Sequence, residues 1–129
     1  MEARILVIEA NTDLRKLFGH LLAAEGYLVD TCADWQAADD YLKQGLPSLI
    51  IYDWEQNSPA GYLWAEALRT ASTTTKVPVL FVSDSPPSRQ ILERLTAADI
   101  ALIDKPFDIF VFRRRVDALL GIRERALGV

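Results

Sequence analysis

Short apolar runs rich in branched side chains alternate along this chain with longer stretches in which apolar residues return every three or four positions. That alternation predicts strands interleaved with amphipathic helices. The runs are Arg4 to Glu9, Tyr27 to Cys32, Leu49 to Asp53, Val79 to Ser83 and Ile100 to Ile103, five strands in all. Between the first two, Leu14, Leu17, Phe18, Leu21 and Leu22 fall on one helical stripe, with Asn11 or Thr12 placed to cap it and Gly26 to end it. Asp34 can cap a second helix that carries Ala37, Ala38, Tyr41 and Leu42 and is closed by Gly45. A third helix is predicted from Tyr62 to Ala71 and a fourth from Ser88 to Ala98. Pro106 followed by Asp108 opens a fifth, on which Phe110, Phe112, Val116, Leu119 and Leu120 continue at mixed helical spacing.

Strands joined by crossover helices predict an α/β fold, a doubly wound parallel sheet whose ligands sit in the crevice beyond the carboxyl ends of the strands. The polar stretch from Ala71 to Lys76 and the proline-containing stretch from Ser83 to Ser88 read as loops inside one unit. With 129 residues, half of them hydrophobic, the chain has the size and apolar content of a single domain, residues 1–129. That domain is expected either to stand alone or to form the N-terminal part of a longer protein.

Charge narrows the functional classes. Fourteen basic residues against eighteen acidic ones leave a net charge of -4, which does not favour a polyphosphate partner, so direct nucleic-acid binding by this segment is not expected. Cys32 is the sole cysteine and can build neither a disulfide framework nor a cysteine metal cluster, which suits a reducing cytoplasm. No apolar stretch approaches the roughly 20 residues needed to span a bilayer, and no membrane association is expected. His20 has no companion for metal ligation or catalysis and reads as a helix-surface residue. Arg113, Arg114 and Arg115 read first as a solvated or carboxylate-paired helix face.

Three of the runs end in a polar residue after an apolar stretch, and one is followed by such a residue: Glu9 ends the first, Asp53 the third and Ser83 the fourth, and Lys105 lies just beyond the fifth. A fold that aligns these ends gathers the four side chains on one rim. In order and spacing, the segments ILVIEAN, LIIYD, FVS and IDKPF resemble the receiver domain of two-component response regulators, the CheY-like family, over nearly the whole chain. Gly61 also falls where that family's loop after the aspartate usually has glycine.

The resemblance implies a flavodoxin-like (βα)5 fold with strand order 2-1-3-4-5. It implies that Asp53 is the phosphoacceptor, that Ser83 supplies a hydroxyl and Lys105 an ammonium to phosphoryl oxygens, and that the bond between Lys105 and Pro106 is cis. It further implies Mg2+ held by Glu9, Asp53 and Glu55, the last through its backbone carbonyl. The implied partners are a histidine kinase or phosphotransfer protein and an effector domain or downstream protein. A homodimer through the fourth helix, fifth strand and fifth helix is a further implication. The residue types suit the chemistry, since a carboxylate that attacks phosphorus needs cations and donors to carry the charge that develops on the transferring oxygens.

Five positions depart from the family pattern, among them Glu55, whose acidic side chain adds negative charge near the pocket. Ala10 stands where a second acid normally follows Glu9, which removes a carboxylate ligand and weakens the expected Mg2+ site. Asp84 follows Ser83 where a small residue is usual, Leu102 replaces the aromatic found three positions before the lysine, and Asn57 stands where proline is common, with Pro59 displaced. A degenerate receiver that binds partners without phosphorylation is therefore the alternative function. A flavodoxin-like cofactor binder lacks support, because EANTD has no glycine-rich phosphate cradle, and an aspartyl phosphatase lacks it too, because DWE has no second aspartate. No classical enzymatic activity is expected.

Overall fold

Runs of branched and aromatic residues flanked by helices can bury both faces of a strand, and such runs pair in parallel. In the computed structural model, which describes residues 3–53, 59–71, 74, 76–83 and 100–126, they form β1 (Arg4–Ile8), β2 (Leu28–Cys32), β3 (Leu49–Asp53), β4 (Val79–Ser83) and β5 (Ile100–Asp104). The sheet is parallel in the order β2-β1-β3-β4-β5. The helices among the described residues are α1 (Thr12–Ala24), α2 (Trp35–Gln44), α3 (Pro59–Thr70) and α4 (Ile109–Ala126). The helix expected from Ser88 to Ala98 lies outside the described residues.

The helix boundaries follow capping chemistry. Asn11 Oδ1 accepts from the Leu14 N–H at 2.9 Å and Asp34 Oδ1 from the Ala37 N–H at 2.8 Å. Asp108 Oδ1 accepts from the Phe110 N–H at 2.7 Å ahead of α4. Beyond α1, Gly26 takes φ 90°, the left-handed conformation for which glycine has no steric penalty. The third helix begins three residues before the expected Tyr62, because proline's fixed φ suits a first helical turn.

Alternation along each strand divides the interior into two layers. Ile5, Val7, Leu49, Ile51, Leu80, Val82 and Ile103 face α1 and α4, where Phe18 packs against Phe107 at 5.5 Å and Phe112 at 5.2 Å between ring centroids. Leu6, Ile8, Ile50, Tyr52, Val79 and Phe81 face α2 and α3. There Trp64 meets Tyr52 edge-on at 5.4 Å and Trp35 at 6.2 Å.

Three residues of the expected helical stripes are not interior, one of them the exposed Ala37. Leu17 is 44% exposed and Phe110 69% exposed, because those stripes span a wider arc than one face of a sheet can cover. Polar links tie the periphery: Asp30 accepts from Arg4 at 2.8 Å and from Tyr41 at 2.6 Å, and Tyr27 donates to Asp117 at 2.5 Å. Arg113 pairs with Glu25, in keeping with the carboxylate-paired reading of that basic segment.

Candidate functional site

Parallel pairing sets the ends of β1, β3, β4 and β5 side by side. Ile8 lies opposite Tyr52, so Glu9 and Asp53 both follow that pair; Asp53 lies opposite Val82, and Ser83 opposite Asp104. The Lys105 N–H donates to the Ser83 carbonyl at 2.7 Å and draws the chain back over the strand ends, and the Lys105–Pro106 peptide is cis. From there Lys105 Nζ forms an ion pair with Asp53 Oδ2 and lies 3.8 Å from Glu9 Oε2. The structure thus brings Glu9, Asp53 and Lys105 together, with the buried Ser83 on the adjoining strand. Glu55 and Asp84 lie outside the described residues, as do Trp54 and Asn57.

Glu9 is the most constrained of the acids. Its N–H donates to the Cys32 carbonyl at 3.0 Å and its Oε1 accepts from the Asn11 N–H at 2.9 Å. Its Oε2 is buried without a hydrogen-bond partner and lies toward Asp53 and Lys105. Burial pushes the Glu9 carboxyl up to about 8, and the facing Asp53 carboxylate adds to the effect, while the Asn11 N–H and Lys105 oppose it.

A carboxyl that holds its proton more tightly when folded contributes stability below its unfolded value near 4.5, and that contribution is lost as pH rises through about 8. Denaturant unfolding in the presence of EDTA should therefore show stability falling between these values. Glu9→Gln should flatten the decline; an unchanged decline in that variant would assign it to another group.

Ala10 is exposed, and beside it a cavity of about 210 Å³ opens between Asp34, Trp35, Tyr52 and Asp53. The absence of a second acid thus coincides with space next to Asp53. A larger cavity of about 530 Å³, walled by Leu42, Leu46, Trp64 and Ala67, lies between α2 and α3 and includes none of the strand-end polar residues. Leu102 is partly buried and packs with the α2 and α3 layer. Burial, with Asp34 nearby, pushes the Cys32 thiol up to about 11, leaving it largely protonated and inert at neutral pH. His20 is exposed.

Arg15 was not legible as part of this site. It donates to the Glu9 carbonyl at 2.8 Å and to the Ala10 carbonyl at 3.4 Å. A basic residue in the first turns of a helix, against the helix dipole, was the only sequence signal for it.

An open parallel sheet with two acids and a lysine gathered beyond its strand ends, next to a buried serine, is the arrangement expected of a receiver domain. The comparisons with known proteins agree. The model for the response regulator receiver domain matches residues 5–117, and the chain belongs to that family.

The chain is 31% identical over 121 residues to the phosphate regulon transcriptional regulatory protein PhoB of Rhizobium meliloti, covering 93% of this chain and 53% of that protein. It is 32% identical over 118 residues to the response regulator RppA of Synechocystis, covering 90% and 50%. The chain thus spans about half the length of these relatives. Among solved structures, it resembles the chemotaxis protein CheY4 of Vibrio cholerae with a TM-score of 0.79 at 21% identity, covering 92% and 99% of the two chains. It also resembles the signal receiver domain of a histidine kinase from Syntrophus aciditrophicus with a TM-score of 0.79 at 25% identity, covering 92% and 90%.

Receiver domains generally bind Mg2+ at the phosphorylation site. Here Glu9 and Asp53 fit a divalent cation: two nearby carboxylates, one with a buried oxygen lacking any donor, have unspent lone pairs that a cation would satisfy. No cluster of three or more metal-binding side chains occurs among the described residues.

Proposed function

We propose that the chain is a phosphorylation-controlled receiver in which Asp53 accepts a phosphoryl group from a histidine kinase or phosphotransfer protein. The observation that carries this reading is the Lys105 ammonium, held by the β5 turn against the Asp53 carboxylate on the strand-end rim. An Asp53 oxygen attacks phosphorus, a carboxyl O–P bond forms, and the donor's P–N bond breaks with its electrons returning to the imidazole. As charge moves onto the phosphoryl oxygens, Lys105 exchanges part of its pairing with Asp53 for one of them and the Ser83 hydroxyl donates to another. Glu9 and Asp53, with the Glu55 carbonyl, would hold Mg2+, which supplies charge neutralisation when bound.

Phosphorylation would switch affinity for an effector domain or downstream protein in the cytoplasm, and the surface around β5 and α4 is the proposed dimer face. These whole-protein activities extend beyond this chain, which covers half of its relatives. The test is incubation with acetyl phosphate and Mg2+, followed by intact-mass analysis. The expected result is the gain of one phosphoryl group in the wild type and none in Asp53→Ala; a gain that survives Asp53→Ala would reject Asp53 as the acceptor.

Ala10 supports a second reading, a degenerate receiver that binds partners without phosphorylation, because the lost acid leaves only Glu9 at the end of β1. Failure of both Mg2+ and beryllofluoride to perturb the tryptophan emission of the protein would favour it.

A further inference from the structure

The turn between β1 and α1 has to aim a side chain with one more rotatable bond than an aspartate. Glu9 Oε1 is pinned by the Asn11 N–H at 2.9 Å, so the direction of Oε2 depends on where the backbone of residues 9 to 11 lies. That backbone is held from two sides. On one side the Glu9 N–H reaches β2 through the Cys32 carbonyl at 3.0 Å. On the other the Arg15 guanidinium, on α1, donates to the Glu9 carbonyl at 2.8 Å and the Ala10 carbonyl at 3.4 Å, with Thr12 Oγ1 at 3.5 Å. A cation near a helix N-terminus works against the helix dipole, so the carbonyl contacts must offset that disadvantage.

We propose that Arg15 is a positioning residue for the divalent cation: by clamping the carbonyls of Glu9 and Ala10, it keeps Glu9 Oε2 turned toward Asp53, so that one acid serves where two are usual. The inference rests on the proposed reading of the site. Arg15 touches neither the cation nor the acceptor and acts only through Glu9. The sign of its effect separates this role from plain electrostatics. A nearby positive charge repels a cation, so removing it should tighten cation binding if charge alone mattered. Removing a clamp should weaken binding, as the loss of groups that orient metal ligands commonly does.

The test titrates the EDTA-stripped protein with Mn2+ alone, following loss of the free-ion signal by electron paramagnetic resonance. Arg15→Met is expected to raise the Kd about tenfold. Arg15→Gln, which keeps a donor and drops the charge, is expected to bind more tightly than Arg15→Met, and it carries the test if Arg15→Met does not fold. In a Glu9→Gln background Arg15→Met should change the Kd by less than about twofold, because the residue it positions is already altered. An unchanged or lowered Kd in Arg15→Met, or a full tenfold loss that persists in Glu9→Gln, overturns the proposal. Asp53→Asn separates the two levels: wild-type binding that is absent or indifferent to Asp53→Asn overturns the site reading and the positioning role with it. Binding that needs Asp53 but ignores Arg15 overturns the positioning role alone.

Discussion

Lys105→Met is expected to destabilise the metal-free protein by about 3 kcal/mol at pH 7, since breaking a buried ion pair leaves a charge without compensation. The Lys105 and Asp53 side chains are only 17% and 8% exposed, so solvent offers the abandoned carboxylate little relief. Adding Asp53→Asn to Lys105→Met removes the stranded charge and should recover most of the loss, leaving less than about 1 kcal/mol. Urea unfolding followed by circular dichroism measures both. Equal midpoints for the wild type and Lys105→Met would show that the pair contributes nothing to the resting fold.

Phe18→Ala is expected to cost about 4 kcal/mol, the range for deleting a buried aromatic ring, and to lower the melting temperature by about 15 °C. Phe18 is fully buried and packs on both Phe107 and Phe112, so its removal opens a void beside these two rings, one of which lies two residues beyond Lys105. Phe110→Ala, at a site 69% exposed, should cost less than about 0.5 kcal/mol. Similar losses in the two variants would mean that the aromatic packing around α1 is assigned wrongly.

The contrast between these two phenylalanines marks where sequence patterns stop being informative. The runs ILVI, LIIY, VLFV and IALI were readable because strands flanked by helices on both faces leave no polar interruptions, whereas the edge strand β2 carries Asp30 and Thr31. The same uniformity made the polar residue at each run's end visible, which is how Glu9, Asp53, Ser83 and Lys105 could be singled out. Helical stripes are less discriminating, and Leu17 and Phe110 were drawn inward by periodicity although the sheet covers only part of each helix. The extra methylene of Glu9 made an inward reach readable, but the hydrogen bonds that aim it were not, because they depend on a backbone N–H from Asn11 and on a carbonyl of Cys32 that reaches it only through strand pairing. Nor was the contact of Arg4 and Tyr41 with Asp30, which depends on β1 and β2 lying side by side. The cavity beside Ala10 likewise depends on which side chains surround a missing one, and Trp35 and Tyr52 come to it from separate elements.

The single-layer sheet insulates its two sides from each other. Among the described residues, rings on the α1 and α4 side share no packing partner with the indoles on the α2 and α3 side, because alternate residues of the same strands serve each. Repacking one half can therefore proceed with little cost to the other, and the strand-end rim, where both halves terminate, is the place where the two must agree.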